Sequence, residues 1–305
     1  MLMFTLKRLG LAILVTFTVS LLSFSLLFMA GDPASAIAGE NATATDIEAI
    51  RALYGFDRPF LVQYADWLFG ALSGDFGQSY YFKMPVSTLI AERLSTTMLL
   101  GVCGISFALL TAIPLGVAAA MRPNSLIDRT ALFLSVMGQA MPSFWFGLVL
   151  IVVFSIQLGW LPPSGSSTWR HFIMPTIVLG YYAMPAIMRL TRAGMLEVLN
   201  ADYIRTARAK GASETRVMFK HALRNAVVPV VSLAAVQMGF MLGGSIVVES
   251  IFALHGAGYL AWESIGRNDL PTVQALILIF SCFYIVFTFL SDLVNAWLDP
   301  RIRVG

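Results

Sequence analysis

Six long apolar stretches constrain this chain more than any other feature of its sequence. A bilayer core about 30 Å thick is crossed by about 20 mostly apolar helical residues, and in lipid an open strand or loop leaves backbone polar groups unpaired. Only 12% of the residues are charged, against about 25% in a soluble domain. The chain is therefore predicted to be an all-α integral membrane protein with six transmembrane helices. The predicted spans are Leu9–Ala30, Thr96–Met121, Ala131–Leu158, Phe172–Met188, Ala226–Val248 and Thr272–Trp297.

The distribution of Lys and Arg predicts the orientation of these helices. If the N-terminus is cytoplasmic, 14 of the 20 Lys and Arg residues fall in inside segments and 6 in outside segments. Because cytoplasmic loops carry the excess of positive charge, both termini and the segment Asp202–Asn225 are predicted to be cytoplasmic. The basic residues of that segment are Arg205, Arg208, Lys210, Arg216, Lys220 and Arg224.

The first apolar stretch is predicted to be a membrane helix followed by an insertion outside the membrane. Its apolar run of about 20 residues exceeds the roughly 7–15 of a signal peptide, so cleavage is the less favoured alternative.

Within the insertion, Thr45 followed by Glu48 predicts a helix N-terminus, and the helix is predicted to end near Tyr54 with Gly55 as its C-cap.

The basic segment is predicted to form a helix, a sharp turn and a second helix. Asp202 is a capping residue for a helix that ends at Lys210, and Gly211 is suited to a left-handed turn. Ser213 is suited to cap a second helix that runs to Asn225. Charge alone leaves three interpretations open: a docking surface for a protein, a topology signal, or a segment that lies on anionic headgroups.

The order of residues in this segment resembles the cytoplasmic coupling loop of binding-protein-dependent ABC importer permeases, specifically the dipeptide, oligopeptide, glutathione and nickel permease family. Gly211 matches the family's glycine. Arg205-Thr206-Ala207 stand where the wider superfamily has an acidic residue and two alanines, so only Ala207 is retained. Further similar motifs are Gly31-Asp32-Pro33, Gly55-Phe-Asp-Arg-Pro59, Gly74-Asp-Phe-Gly77, Met141-Pro-Ser-Phe-Trp145, Leu161-Pro-Pro163, His221-Ala-Leu-Arg-Asn-Ala226, Gly244-Ser-Ile-Val-Val-Glu249 and Asp299-Pro-Arg-Ile-Arg303.

The sequence departs from that family at two places in the loop before the last span. His255-Gly-Ala-Gly258 stands where the family usually has Pro-Gly-x-Gly, and Asn268-Asp-Leu-Pro271 stands where it has Arg-Asp-Tyr-Pro. Both departures lie in the predicted extracellular loop between the last two spans, so they concern the outer end of the molecule and not the basic segment.

The resemblance implies a type I ABC importer transmembrane domain in a bacterial inner membrane. It implies three regions: a tail and first helix (1–30), a periplasmic insertion (31–94) and a permease core (95–305) with a coupling loop (190–225). It also implies a second homologous permease, two ATPase subunits and a periplasmic solute-binding protein as partners, and no nucleic acid. The residues that it assigns to ATPase coupling are Asp202, Tyr203, Ile204, Arg205, Thr206, Ala207, Arg208, Ala209, Lys210 and Gly211.

The chain itself is predicted to be a transport subunit and not an enzyme. It has no GxxxxGK[ST] loop, so ATP and Mg are expected on the partner ATPases, and no cofactor is expected in this chain. No metal site is predicted, because Cys103 and Cys282 lie in apolar stretches and the three His are dispersed.

Mild polar groups within the spans are the candidates for a solute path. Gln139, Met141 and Pro142 on the third span and Gln237 and Met238 on the fifth are predicted to line it, although helix packing explains such residues equally well.

The expected cargo is a dipeptide, an oligopeptide or glutathione. A nickel complex or an opine is the alternative within the family, and an ion-coupled secondary transporter is the alternative outside it. An ion-coupled carrier generally buries ionisable groups near the middle of the membrane. The predicted spans offer only Asp292, near the cytoplasmic end, and Glu249 lies at their outer edge.

Overall fold

The computed structural model describes residues 2–29, 32–39 and 42–298, and within these ranges it contains no β-strand longer than an isolated bridge. The first half contains α1 (Leu2–Met29), α2 (Pro33–Ala38), α3 (Ala44–Tyr54), α4 (Phe60–Leu72), α5 (Val86–Met121), α6 (Leu126–Ala140) and α7 (Ser143–Leu150), which continues as a π-helix over Ile151–Gln157. The second half contains α8 (Arg170–Leu199), α9 (Asp202–Ala209), α10 (Glu214–Arg216), a π-helix over Val217–Ala222, α11 (Leu223–Ala226), α12 (Val228–Ile251), α13 (Ala257–Gly266) and α14 (Leu270–Leu298).

Most of the predicted spans appear as single helices. In the part of the chain that the structure covers, α1, α5, α8, α12 and α14 are long and apolar enough to cross a membrane, and α6 with α7 makes a sixth if the pair counts as one span. The fourth span is longer than predicted, because α8 runs unbroken through Pro175 and Pro185. Ala30, Gly31 and the motif Asp299–Arg303 lie outside the described residues.

The third predicted span, Ala131–Leu158, is wrong as a single helix. The chain bends by 106° between α6 and the helix that begins at Ser143. Pro142 lacks a backbone N–H and forces the preceding Met141 out of the helical region, where the Met141 ψ is 126°. The span is therefore two short helices set at a large angle.

Helices α5 and α8 form the centre of the core through close backbone contact. A Cβ added at Gly180 of α8 would lie 2.5 Å from the carbonyl oxygen of Gly104 on α5. A Cβ added at Gly116 of α5 would lie 2.8 Å from the carbonyl oxygen of Met188. Small residues at these crossings let the helices approach, which is the packing mode expected in a membrane.

We expect Gly180→Ala to lower the apparent melting temperature of the purified protein by several degrees, because neither of the two backbones can yield locally. Overpacking of this kind costs about 1–3 kcal/mol. Gly243→Ala is the matched control, since Gly243 is also helical and a Cβ there meets nothing within 4 Å. Equal melting temperatures for the two variants would contradict the close crossing.

The outer end of the molecule is held by two buried carboxylates. Glu249, at the end of α12, accepts hydrogen bonds from Thr97 Oγ1 (2.7 Å) and from the Tyr259 backbone N–H (2.8 Å). Asp269, just before α14, accepts bonds from Ser79 Oγ (2.6 Å) and from the Tyr80 backbone N–H (2.8 Å). The first network fixes the loop that leads into α13, and the second fixes the insertion to the last span.

The insertion contains the predicted helix, but its start was placed two residues too late. Thr43, not Thr45, is the N-cap, and its capping box is completed by Asp46 in place of Glu48. The predicted end is confirmed, because α3 ends at Tyr54 and Gly55 is left-handed with φ 69°.

At the other end of the molecule, ion pairs join helices that are far apart in sequence. Arg8 Nη1 of α1 lies 2.9 Å from Asp292 Oδ2 of α14, so the start of the first helix meets the end of the last. Arg192 of α8 holds Asp128 of α6 through two bonds, Nε to Oδ1 (2.6 Å) and Nη2 to Oδ2 (2.7 Å). The start of α1 and the end of α14 therefore lie on the same side, as an even number of spans requires.

Candidate functional site

The segment between α8 and α12 is a compact helix–turn–helix, which we call the coupling loop. After α9, the Gly211 backbone is left-handed (φ 81°). The Gly211 N–H donates to the Arg208 carbonyl (2.9 Å) and the Ala212 N–H donates to the Ala207 carbonyl (3.2 Å). These two bonds define a Schellman turn, in which glycine is the preferred left-handed residue.

The start of α9 and the extent of the second helix differ in detail from the prediction, whereas the predicted cap of the second helix is confirmed. Ala201 is the N-cap of α9, and Asp202 is its first helical residue, so the predicted Asp202 cap was one residue late. Ser213 does cap the second helix, with its Oγ accepting from the Arg216 N–H at 3.4 Å. That helix continues past the predicted Asn225 to Ala226 and includes the π-helix Val217–Ala222.

One fully buried side chain anchors the coupling loop to the membrane helices. Ile204 of α9 has 0% exposure and packs in a cluster with Met195 of α8 and Val217 of the second helix. The cluster also includes Val117 near the inner end of α5. Ile204 therefore ties α9 to the packed interior at the inner ends of α5 and α8.

The side chains of α9 divide between surface and core. Ala207 is half-buried against the anchoring cluster, while Tyr203 and Gly211 are exposed. Asn225 Nδ2 donates to Tyr203 Oη at 2.8 Å, so the aromatic ring is fixed to the second helix. Ile204 is among the residues that the resemblance assigns to coupling, but its burial as an anchor was not predicted, although it is the one large aliphatic residue in α9.

The basic residues of the coupling loop are not equivalent. Arg208 forms two hydrogen bonds to Glu214 across the turn, Nε to Oε1 (2.8 Å) and Nη2 to Oε2 (3.1 Å), and this contact lowers the pKa of Glu214. Arg205 makes a longer contact of 3.5 Å with Asp202. The remaining basic side chains of the loop that are exposed are Lys210, Arg216, Lys220 and Arg224.

The candidate path residues fall in three different environments. Gln237 of α12 lines a cavity of about 90 Å³ together with Ser143 and Tyr182, which the sequence did not indicate. Met238, its neighbour, is buried on another face, where a Cβ at Gly101 would lie 3.0 Å from the Met238 Cε. The structure therefore brings Gln237, but not Met238, to this cavity.

The predicted path residues on the third span lie at or just before its break. Pro142 is exposed and Met141 is half-buried, and the next residue, Ser143, lines the cavity. Gln139 is exposed, and its Oε1 accepts a hydrogen bond from Arg189 Nη2 at 3.2 Å.

Glycines of α12 have two different environments. A Cβ at Gly239 would lie 2.7 Å from the Tyr284 ring of α14, so this glycine serves helix packing within the chain. A Cβ at Gly243 or Gly244 meets nothing within 4 Å, and Gly244 lines the cavity beside Gln237. This part of α12 therefore has a smooth face that no other described element covers.

Comparison with protein families matches almost the entire chain. Residues 112–304 match the family described as "Binding-protein-dependent transport system inner membrane component", and residues 1–101 match the N-terminal family of such membrane components. The glutathione transport system permease protein GsiC of Escherichia coli (strain K12) is 42% identical over 304 residues, which cover 99% of each chain. The protein of the same name from Salmonella choleraesuis (strain SC-B67) is 41% identical over the same length.

Solved structures share the fold of the core. A chain of the inward-facing MetNI methionine ABC transporter matches with a TM-score of 0.58 at 20% identity, covering 69% of this chain and 96% of its own length. A chain of an amino acid ABC transporter crystallised with histidines matches with a TM-score of 0.52 at 17% identity, covering 70% of this chain and 94% of its own.

Proposed function

Since this chain belongs to the family of binding-protein-dependent transport system inner membrane components, we propose that it forms one of the two membrane-spanning subunits of an ATP-driven importer of small peptides or glutathione. A second, homologous permease completes the membrane part. Two ATPase subunits bind on the cytoplasmic side and a solute-binding protein binds on the periplasmic side. Cargo moves from periplasm to cytoplasm by alternating access.

The observation that carries this proposal is the construction of the coupling loop. The loop is stiff, because its turn is a Schellman motif closed by the Arg208–Glu214 pair. It is anchored, because Ile204 is buried in a cluster with residues of the membrane helices α5 and α8. Its outer surface, with the ring of Tyr203 (44% exposed) and the ring of Phe219 (62% exposed) among basic side chains, suits a groove on a partner that has both apolar and acidic residues. A rigid element of this kind converts a partner's movement into displacement of the spans.

Peptide or glutathione cargo is supported by the relatives at about 42% identity along the full length, whose name states glutathione transport. The cavity beside Gln237 also suits such a cargo. Its amide and hydroxyl groups, from Gln237, Ser143 and Tyr182, can exchange hydrogen bonds with peptide groups without holding a fixed charge. Weak neutral contacts let a solute leave as readily as it enters.

For the cavity beside Gln237 to form part of a closed path for cargo, another protein surface must cover its open side. Two exposed aromatic side chains line this cavity, with Tyr182 61% exposed and Phe240 57% exposed, and Phe144, which follows Ser143 in the chain, is 52% exposed. We assign this face to the second permease, so that the path runs between the two membrane subunits and the broken third span borders it.

Uptake by the reconstituted complex tests the proposal. The full assembly of this chain with its partner permease, ATPases and binding protein is expected to accumulate labelled glutathione or dipeptide in proteoliposomes when ATP is enclosed with the ATPases. Vanadate should abolish the accumulation, and a protonophore should leave it unchanged. Uptake that follows an imposed ion gradient without ATP would point instead to a secondary transporter.

A further inference from the structure

A large apolar groove runs along the membrane surface of the first and last helices. It has a volume of about 570 Å³ and is walled by α1 from Leu9 to Ser20 and by α14 from Leu278 to Phe289. Residues Leu68, Ala71 and Leu72 of α4 close its outer part. Its length along α1 is about 16 Å, which is roughly half of the 30 Å hydrocarbon core.

A second cavity, of about 240 Å³, lies at the outer end of this groove and has a different character. Its walls include Arg58, Asp66, Gln78 and the ring of Tyr80 from the insertion, together with Gln274 from α14. The polar groups lie on the periplasmic side of the apolar groove, where the headgroups of the outer leaflet are found.

The two cavities are consecutive along the same elements. Phe76 lines both of them. Phe24 of the polar cavity lies one helical turn beyond Ser20 of the groove on α1, and Gln274 lies one turn before Leu278 on α14. A molecule with a polar head and an apolar tail therefore fits both at once.

The charges of the polar cavity indicate what kind of head it takes. Arg58 Nη1 and Asp66 Oδ2 form an ion pair of 2.7 Å, with side chains 47% and 57% exposed. The intrachain bonds of Arg58 use Nε and Nη1, so Nη2 remains available to donate. A zwitterionic head meets both signs, with its anionic group on the arginine and its cationic group on the aspartate.

We propose that the α1–α4–α14 groove and the polar cavity above it form a specific site for a zwitterionic phospholipid of the outer leaflet, of the phosphatidylethanolamine class. The phosphate binds Arg58, the ammonium binds Asp66, and one acyl chain lies along α1 and α14. The lipid joins the insertion to the first and last spans. This site is separate from the cavity beside Gln237 and does not depend on the cargo.

Lipid retention by the full chain in its complex tests the site. The assembly is purified in nanodiscs of equal parts phosphatidylethanolamine, phosphatidylcholine and phosphatidylglycerol, and the lipids that remain after detergent exchange are counted by mass spectrometry. The wild type is expected to retain about one phosphatidylethanolamine per copy, and the double variant Arg58→Gln/Asp66→Asn to retain about fivefold less. Ala71→Trp, which fills the groove, is expected to lower the retention of the same lipid to a similar extent.

Two matched controls separate the site from general effects on the membrane surface. Leu22→Trp adds the same bulk to α1 at an exposed position outside both cavities, and Arg170→Gln removes a charge elsewhere on the outer side. Both should retain lipid like the wild type. Equal retention by all variants would overturn the proposal, and so would a preference for phosphatidylglycerol. Displacement of the lipid by a dipeptide in the wild type would also overturn it, because the polar cavity would then be a cargo site.

Discussion

Gly211→Val is expected to lower solute uptake about tenfold while leaving the chain inserted and assembled. Gly211 is left-handed, and a side chain in this conformation costs about 1–2 kcal/mol, more for a β-branched residue. A Cβ at this position meets nothing within 4 Å, so the cost is purely one of backbone conformation. The turn would open, and the second helix would leave the direction that the Schellman bonds impose.

The comparison that isolates this effect is Gly211→Asn. The asparagine side chain is at least as large as that of valine, but it tolerates the left-handed conformation, so Gly211→Asn should retain most of the uptake. Uptake is measured in proteoliposomes together with ATP hydrolysis, and in the valine variant hydrolysis should persist without transport. If valine and asparagine behave alike, the backbone of the turn is not what couples the two activities.

Asp128→Asn is expected to destabilise the protein by about 2 kcal/mol, because it leaves the guanidinium of Arg192, whose side chain is 23% exposed, without its counter-charge. Asp128 is 2% exposed, and it also accepts a bond from the Asn124 N–H at 2.9 Å, which an amide oxygen can keep. The apparent melting temperature of the purified chain should therefore fall by several degrees. Arg192→Met combined with Asp128→Asn should recover part of the loss.

The exposed Arg58–Asp66 pair provides the control for this effect. Its ionic contact is as short, at 2.7 Å, but both side chains are about half-exposed, so Asp66→Asn alone should cost no more than about 1 kcal/mol. A loss for Asp128→Asn no larger than that of the control would show that burial does not strengthen the Asp128–Arg192 contact.

The fold class and the positions of most spans could be predicted because hydrophobicity acts locally. The left-handed turns at Gly211 and at Gly55, the end of α3, were also predictable from local sequence. A glycine just after a helix favours the left-handed backbone conformation that ends it. Pro142 is a helix-disturbing residue that can be read from the sequence, but the bend itself was not predicted. Its angle depends on how α7 packs against α8 and α12, which the local sequence does not determine.

Pairings between distant residues could not be predicted. Nothing in the sequence around Asp128 indicates that Arg192 lies beside it, and Ile204 gives no local sign that it will be buried by α5 and α8. The division of Gln237 and Met238 between an open cavity and the packed interior depends on the rotation of α12 about its axis. A rotation of α12 by about 100°, the angle between consecutive residues, would bring Met238 to the cavity in place of Gln237.

The second helix of the coupling loop and the fifth span are separated by a single residue. From Glu214 to Ile251 the chain is helical apart from Val227, a distance of about 57 Å along the helix path. One end of this path meets the surface proposed for the ATPase, and the other ends beside Glu249, where the carboxylate fills the space next to Gly256 and Gly258. We therefore expect a displacement of the coupling loop to be carried along α12, so that movement at the cytoplasmic face is accompanied by movement at the periplasmic face.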